Sequence, residues 1–307
     1  MMKVFIDGSA GTTGLRIRER LSGRKDLQLT VLSEELRKDP SARADALNSA
    51  DVSFLCLPDA AAIEAASFVT SPEAVIIDTS TAHRTAEGWT YGMPELTGRR
   101  EKIASAKRIA NPGCHATGFI SLVAPLVENG LLSPDVRLSC FSLTGYSGGG
   151  KKMIAEYEAP DTDPLYQAPR QYGLGQTHKH LPEMAKVCGL TYAPVFCPIV
   201  APYYAGMEVT VPLTPAETSA TAADIRRIYQ EYYRSGLVRF AESPDEGGFL
   251  SAGAMAGRDS LEVSVFGNDE RILLVSRFDN LGKGASGAAI QNMNLALSLG
   301  ETEGLVI

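Results

Sequence analysis

The residues at positions 3–7, Lys3-Val4-Phe5-Ile6-Asp7, run directly into Gly8-Ser9-Ala10-Gly11-Thr12-Thr13-Gly14, and this junction decides how the first third of the chain is read. A short apolar run, a glycine turn, and then Leu15, Ile17 and Leu21 on a helical period predict strand, turn and helix in succession. Further compact apolar runs follow at 27–32, 52–57, 74–78 and 108–110, separated by polar or helical sequence. Runs of this kind suit parallel strands covered on both faces. The alternation of strand and helix to residue 110 predicts an α/β unit with a doubly wound, Rossmann-type parallel sheet. Ligands of such sheets bind at the carboxyl ends of the strands, where both the glycine turn and the segment after residue 110 fall, so one crevice is expected to serve both.

The glycines at 8, 11 and 14 are spaced more widely at the start than in the usual dinucleotide fingerprint. They still let the backbone approach a pyrophosphate at a helix N-terminus. About 20 residues past the turn, the range in which an acid holds a ribose hydroxyl, stands Glu34. Beside it, Ser33, Arg37 and Lys38 suit a 2′-phosphate, so these residues leave NAD and NADP both open.

Other functions are excluded by composition. The 307 residues carry a net charge of −7 without a basic cluster, which removes the electrostatic footprint of nucleic-acid binding. The length predicts two domains. The five cysteines, Cys56, Cys114, Cys140, Cys188 and Cys197, are odd in number and widely spaced, which fits neither a disulfide framework nor a zinc site. With no apolar run near membrane-spanning length and no leader-like start, a reducing cytoplasm and no membrane partner are expected.

After residue 130 the texture changes. Longer, partly alternating runs at 136–144, 207–213, 261–266 and 272–278, with a helix at 222–234, predict an α+β domain on a largely antiparallel sheet. Residues 145–205, rich in Gly, Pro and Tyr, read as long functional loops. A last helix is expected at 287–299, with Ala288 and Ala289 allowing close packing.

Cys114 lies in Asn111-Pro112-Gly113-Cys114-His115-Ala116-Thr117, after a strand and before a helical run at 118–127. A thiol at a helix N-terminus is stabilised as thiolate by unpaired N–H groups and the helix dipole; a small buried residue also fits the place. Two of the four histidines fall in His178-Lys179-His180-Leu181-Pro182-Glu183. On an extended segment both rings would share a face, as an acid/base pair or metal ligands. A third metal ligand of obvious spacing is missing, so no metal is expected. Ser147-Gly148-Gly149-Gly150-Lys151-Lys152 offers successive N–H groups and cations to an anion. Arg84, after the strand at 74–78, suits a carboxylate or phosphate.

Taken together, these motifs resemble the N-acetyl-gamma-glutamyl-phosphate reductase family, in its short type 2 subfamily, over essentially the whole chain. Asn111-Pro112-Gly113-Cys114 is similar to the family's nucleophile motif. His178 to Glu183 is similar to its histidine motif, where better-known members carry arginine between the histidines, and Asp279 to Gly287 to a segment returning to the cofactor domain. The resemblance implies Cys114 as the acyl-enzyme nucleophile and one of His178 and His180, preferably His180, as the catalytic imidazole. It also implies substrate contacts from Arg84, Asn111, Ser147, Gly148 and Lys151. Its NADP(H) contacts would come from Gly8, Ser9, Gly11, Thr12, Thr13 and Gly14, with Ser33 and Arg37, and from Asn280 and Lys283 near the nicotinamide. The residues before Arg84, Thr79 to His83, depart from the family's commoner acidic and aromatic pattern.

The implied domains are 1–114 for NADP binding, 115–284 for catalysis and dimerisation, and 285–307 as a helix returning to the cofactor domain. The implied reaction reduces N-acetyl-L-glutamyl 5-phosphate to the 5-semialdehyde through a Cys114 thioester, in a homo-oligomer, dimer or tetramer. Competing readings are another acyl-phosphate reductase of the aspartate-semialdehyde or aminoadipyl-phosphate type, a Cys-His thiol hydrolase, and a non-catalytic nucleotide-binding module.

Overall fold

The computed structural model describes residues 1–234 and 236–307. They pack as two units, Met1–Gly113 with Ala285–Val306, and Cys114–Gly284 with Ile307.

The first unit opens with β1 (Met2–Asp7), α1 (Thr12–Leu21), β2 (Leu27–Thr30), α2 (Pro40–Ser49) and β3 (Val52–Leu55). It continues through α3 (Asp59–Ser67), β4 (Val75–Asp78), β5 (Thr90–Tyr91), α4 (Arg99–Ser105) and β6 (Arg108–Ala110). Its sheet has the order β2-β1-β3-β4-β6-β5, and every pairing in it is parallel. Side chains alternate across a strand. Val4 and Ile6 of β1 therefore enter a core with Ile17, Leu21 and Ile103, while Phe5 enters a second with Leu47, Ala62 and Ala65 on the opposite face. Burial on both faces is why these strands read as unbroken apolar runs. The edge strand β5, two residues long, carries no such run and was not legible. The returning helix of this unit (Gly287–Ala296) lays Ala289, Ile290 and Met293 on the first core, and it ends three residues before the expected 299.

In the second unit the helix α5 (Cys114–Glu128) is buried from His115 to Leu126. Pro125, inside it, has no N–H to give to the carbonyl of Ser121; the hydroxyl of Tyr233 donates to that carbonyl at 2.6 Å instead. After α5 come β7 (Ser139–Gly145), α6 (Gly150–Glu158), β8 (Arg170–Gln171), α7 (Leu181–Cys188), β9 (Val195–Ala201) and β10 (Met207–Leu213). The unit is completed by α8 (Ala222–Tyr232), β11 (Val238–Phe240), β12 (Leu261–Asn268) and β13 (Arg271–Phe278). Its seven strands take the order β11-β12-β13-β10-β7-β9-β8, antiparallel except for the β11/β12 and β7/β9 pairs. This is the largely antiparallel sheet the alternating runs predict.

The stretch 145–205 corrects the reading as long loops, since it contains α6, β8, α7 and β9. No residue of α6 is buried, so it has no core periodicity to reveal it. Strand β9 carries Pro198, which normally argues against a strand. It sits here opposite Ser142 of β7, and its carbonyl accepts from Tyr172 N–H at 3.0 Å. Among the described residues, no helix is long and apolar enough to cross a membrane.

Candidate active site

Cys114 is the first residue of α5 and is partly exposed. Behind it the chain makes a π-helical turn at Gly282–Ser286. A Cβ added at Gly284 would stand 3.0 Å from the Cβ of Cys114, so the bare glycine lets this turn lie against the head of the helix.

The next residue, His115, is buried and held at both nitrogens. Nδ1 lies 2.7 Å from the Ser142 hydroxyl, and Nε2 lies 2.6 Å from the Tyr172 hydroxyl. Burial, with the neighbouring His178 adding to it, pushes the His115 pKa down to about 3, so the ring is neutral near pH 7. The rings of His178 and His180 both stand 5.6 Å from that of His115, and 4.8 Å from each other.

The histidine pair does not lie on an extended segment. Pro182 occupies the first turn of α7 and His180 is the N-cap, with φ −85° and ψ −11°; proline's fixed φ favours a helix start at this point. The pair therefore meets across a turn, where His180 N–H donates to His178 Nδ1 at 3.2 Å. A neutral His178 accepting there carries its proton on Nε2. Among the described residues, no group of three or more His, Cys, Asp or Glu is arranged to hold a metal ion.

Still within the second unit, Asn280 Nδ2 donates to the Ser147 hydroxyl at 3.0 Å, and its Oδ1 accepts from Gly206 N–H at 2.9 Å. Gly148 lies beside the same amide, since a Cβ there would stand 3.6 Å from Asn280 Nδ2. Tyr146–Gly149 is a 3-10 turn and Gly150 begins α6. The glycine-rich stretch is thus a helix start, with Lys151 exposed in the first turn, and Lys283 is buried.

In the first unit, Gly8 follows β1 at the point where the strand order reverses between β1 and β3, the usual ligand site of such sheets. Its φ is +84°, and a Cβ there would stand 2.3 Å from the carbonyl oxygen of Cys56. Gly11 caps α1 without a side-chain hydrogen bond. Ser9 lies in this same turn and Thr13 in the first turn of α1, and Gly14 packs against the Gly8 carbonyl. Past β2, the Ser33 carbonyl accepts from the N–H groups of Leu36 and Arg37, and Arg37 Nε pairs with Glu34 at 2.7 Å. After β4, Arg84 donates from Nε to the Asn111 carbonyl at 3.0 Å and from Nη2 to the Thr79 carbonyl at 3.2 Å. Asp78 organises this turn by accepting from Ser80 N–H and its hydroxyl, and it pairs with His83 at 2.6 Å while that ring stacks on Trp89. The unusual residues before Arg84 are therefore the frame of its turn. Asn111 Nδ2 donates to the Ala285 carbonyl, and its Oδ1 accepts from Asn292.

The model of the semialdehyde dehydrogenase NAD binding domain matches residues 32–106, and that of the semialdehyde dehydrogenase dimerisation domain matches residues 114–280. N-acetyl-gamma-glutamyl-phosphate reductase 2 of Nostoc sp. is 44% identical over 321 residues, covering 99% of each chain. The protein of that name from Pseudomonas putida is 42% identical, covering 98% of each. The chain belongs to the N-acetyl-gamma-glutamyl-phosphate reductase family. Among solved structures, aspartate semialdehyde dehydrogenase II from Vibrio cholerae shares its fold at a TM-score of 0.70 and 18% identity, over 97% of this chain and 99% of that one. So does the Candida albicans aspartate semialdehyde dehydrogenase solved with NADP, at 0.69 and 14%, over 97% and 99%.

The unit matched by the NAD binding model carries the glycine turn, and that turn fits a dinucleotide's pyrophosphate. The first-turn N–H groups of α1 have no side-chain cap, which leaves them to an anion. The Thr12 hydroxyl is buried without a hydrogen-bond partner among the described residues, as a residue awaiting a ligand oxygen would be. Sequence reasoning missed His115, Tyr172, Ser142 and Gly284. His115 stands beside the thiol in the quoted motif, so adjacency was a usable signal, whereas Tyr172 and Ser142 reach it only through the tertiary fold.

Proposed function

We propose that this chain catalyses the NADPH-dependent reductive dephosphorylation of N-acetyl-L-glutamyl 5-phosphate to N-acetyl-L-glutamate 5-semialdehyde, in arginine biosynthesis. The observation that carries the reading is the thiol of Cys114 at the head of a buried helix, beside a cluster of imidazoles, in a chain 44% identical to reductases of that name. The Cys114 thiolate attacks the acyl carbon, the carbon–oxygen bond to phosphate breaks, and phosphate leaves with its electron pair, giving a thioester. NADPH supplies the hydride that reduces the thioester carbon. As the carbon–sulfur bond then breaks, an imidazole of the His178/His180 pair gives the departing sulfur its proton, work worth typically 10²–10⁴-fold.

The first-turn N–H groups of α5 donate to the developing oxyanion. Arg84, Asn111, Ser147, Gly148 and Lys151 hold the substrate's phosphate and carboxylate. Gly8, Ser9, Gly11, Thr12, Thr13 and Gly14 hold the cofactor pyrophosphate, and Ser33 and Arg37 its 2′-phosphate. Asn280 and Lys283 belong on the nicotinamide side. Residues 1–114 form the NADP-binding domain, 115–284 the catalytic and dimerising one, and 285–307 its return.

The protein works in the cytoplasm as a homo-oligomer built on a dimer. Supporting the dimer, the outer face of the second unit's sheet leaves Phe141, Val195 and Leu273 exposed at 43%, 59% and 42%, in the region matched by the dimerisation model. The deciding assay is phosphate-dependent reduction of NADP by N-acetyl-L-glutamate 5-semialdehyde, with Cys114→Ser beside the wild type. The variant is expected to bind NADPH normally and to lose turnover by orders of magnitude. A variant keeping more than about a tenth of the rate would end the nucleophile assignment.

A further inference from the structure

His115 is locked in place. Rings of His178, His180, Phe196 and Tyr172 surround it at centroid distances of 5.6, 5.6, 5.3 and 6.1 Å, and both its nitrogens are engaged. A neutral imidazole has one N–H donor and one acceptor nitrogen. Its two partners, both hydroxyls, must therefore be oriented in opposite senses.

We propose that His115 is a positioning residue for Cys114: it accepts the Ser142 hydroxyl proton at Nδ1, donates from Nε2 to the Tyr172 oxygen, and so leaves the Tyr172 proton to be donated to the Cys114 sulfur. The proposal rests on the reading of Cys114 as the nucleophile. Ser142 is fully buried on β7, where its single proton finds the imidazole. Tyr172 meets His115, the immediate neighbour of Cys114 on α5. Burial and, after it, the negative charge of a Cys114 thiolate hold the Tyr172 pKa above its ordinary value, which puts the phenol within electrostatic reach of the sulfur. The Tyr172 hydroxyl thus keeps its proton near neutral pH, and a hydrogen bond donated to the thiolate favours the charged, reactive form.

The test is the pH dependence of Cys114 alkylation by iodoacetamide, read by peptide mass spectrometry so that the other four thiols are counted separately. Wild type, Tyr172→Phe, Ser142→Ala and His115→Phe are compared, each with its melting curve. In all three variants the thiol should titrate about one unit higher, lowering alkylation at pH 7 about tenfold. The His115→Phe/Tyr172→Phe double variant should be no slower than either single one, because both remove the same bond. In turnover, kcat should fall while KM for the acyl phosphate stays put.

If His115→Phe fails to fold, Ser142→Ala and Tyr172→Phe carry the test alone. Wild-type titration of Cys114 in either of these two, or additive effects in the double variant, would overturn the proposal. An active Cys114→Ser would strike the nucleophile reading instead, whereas unchanged alkylation beside an inactive Cys114→Ser strikes this inference only.

Discussion

Gly284 packs against Cys114 so closely that a single added carbon would stand 3.0 Å from the cysteine Cβ, with the Asp279 carbonyl and the Phe278 ring each at 3.2 Å. The Asp279 carbonyl also accepts from Gly284 N–H at 3.0 Å, so the turn cannot retreat without losing that bond. Gly284→Ala should therefore push on the head of α5 and displace the thiol by a fraction of an ångström. Misplacement on this scale costs up to about 10²-fold in rate. Steady-state kinetics with a melting curve should show kcat reduced at least tenfold and a melting temperature only slightly lowered; unchanged kcat would show that the helix start absorbs the carbon freely.

The glycine turn makes a prediction by contrast. Gly8 has φ +84° and no room, whereas an added carbon at Gly11 would meet only the carbonyls of Gly8 and Cys56, at 3.5 and 3.8 Å. Gly8→Ala should destabilise the first unit, through strain at positive φ and the collision with Cys56. Gly11→Ala should fold normally yet weaken NADPH binding, because the new methyl group stands where the backbone must approach the pyrophosphate. Calorimetric titration with NADPH and thermal melts of both variants decide it. Wild-type affinity in Gly11→Ala would move the pyrophosphate away from this turn.

Beneath that turn, Asp7 and Arg43 form a buried pair at 3.0 Å, and Arg43 also reaches Glu64 at 2.9 Å. Burial raises the Asp7 pKa, and Arg43 pulls it back. Arg43→Met leaves the carboxylate buried without its counter-charge, which costs about 3–5 kcal/mol. A raised folded pKa means that stability is lost as pH rises through it, so the variant should be weaker at pH 8 than at pH 5. Asp7→Asn in the same background should restore much of the loss. Urea unfolding at both pH values measures it, and equal losses at the two would refute the role of the Asp7 charge.

The two cores explain what could be read from the sequence. Strands β1, β3 and β4 are buried on both faces, so Val4-Phe5-Ile6, Val52 to Leu55 and Val75-Ile76-Ile77 declare them without help from context. The antiparallel strand β10 declares itself by alternation, with Met207, Val209, Val211 and Leu213 buried between half-buried neighbours. In contrast, α6 buries nothing, β9 hides behind Pro198, and β5 is two residues long. The site divides in the same way. Cys114 and the glycine turn announce themselves by their place between strand and helix, a local property. The frame around them could not be read locally: Tyr172 is 57 residues from His115, and Asn280 is 133 from Ser147. For the histidine pair, alternation suggests an extended segment, whereas His180 caps a helix whose first turn holds Pro182.

His115 also fixes a pH dependence of stability. Its ordinary pKa of 6.5 falls to about 3 in the folded chain, so the folded protein refuses a proton that the unfolded chain accepts below about pH 6.5. The stability this ring contributes is present above that value and is lost as pH falls toward 3. One proton's difference gives a slope of about 1.4 kcal/mol per pH unit once the unfolded ring is fully charged. Urea unfolding of wild type and His115→Gln at pH 7, 6, 5 and 4.5 isolates it, since carboxylates titrate alike in both proteins and cancel in the difference. The variant should start less stable at pH 7, where the imidazole's bonds to Ser142 and Tyr172 are gone, and then lose stability more slowly than wild type, so that the two curves converge toward low pH. Parallel curves would mean that folded His115 takes up its proton as readily as the unfolded chain does, and would place charge where the structure places a neutral ring.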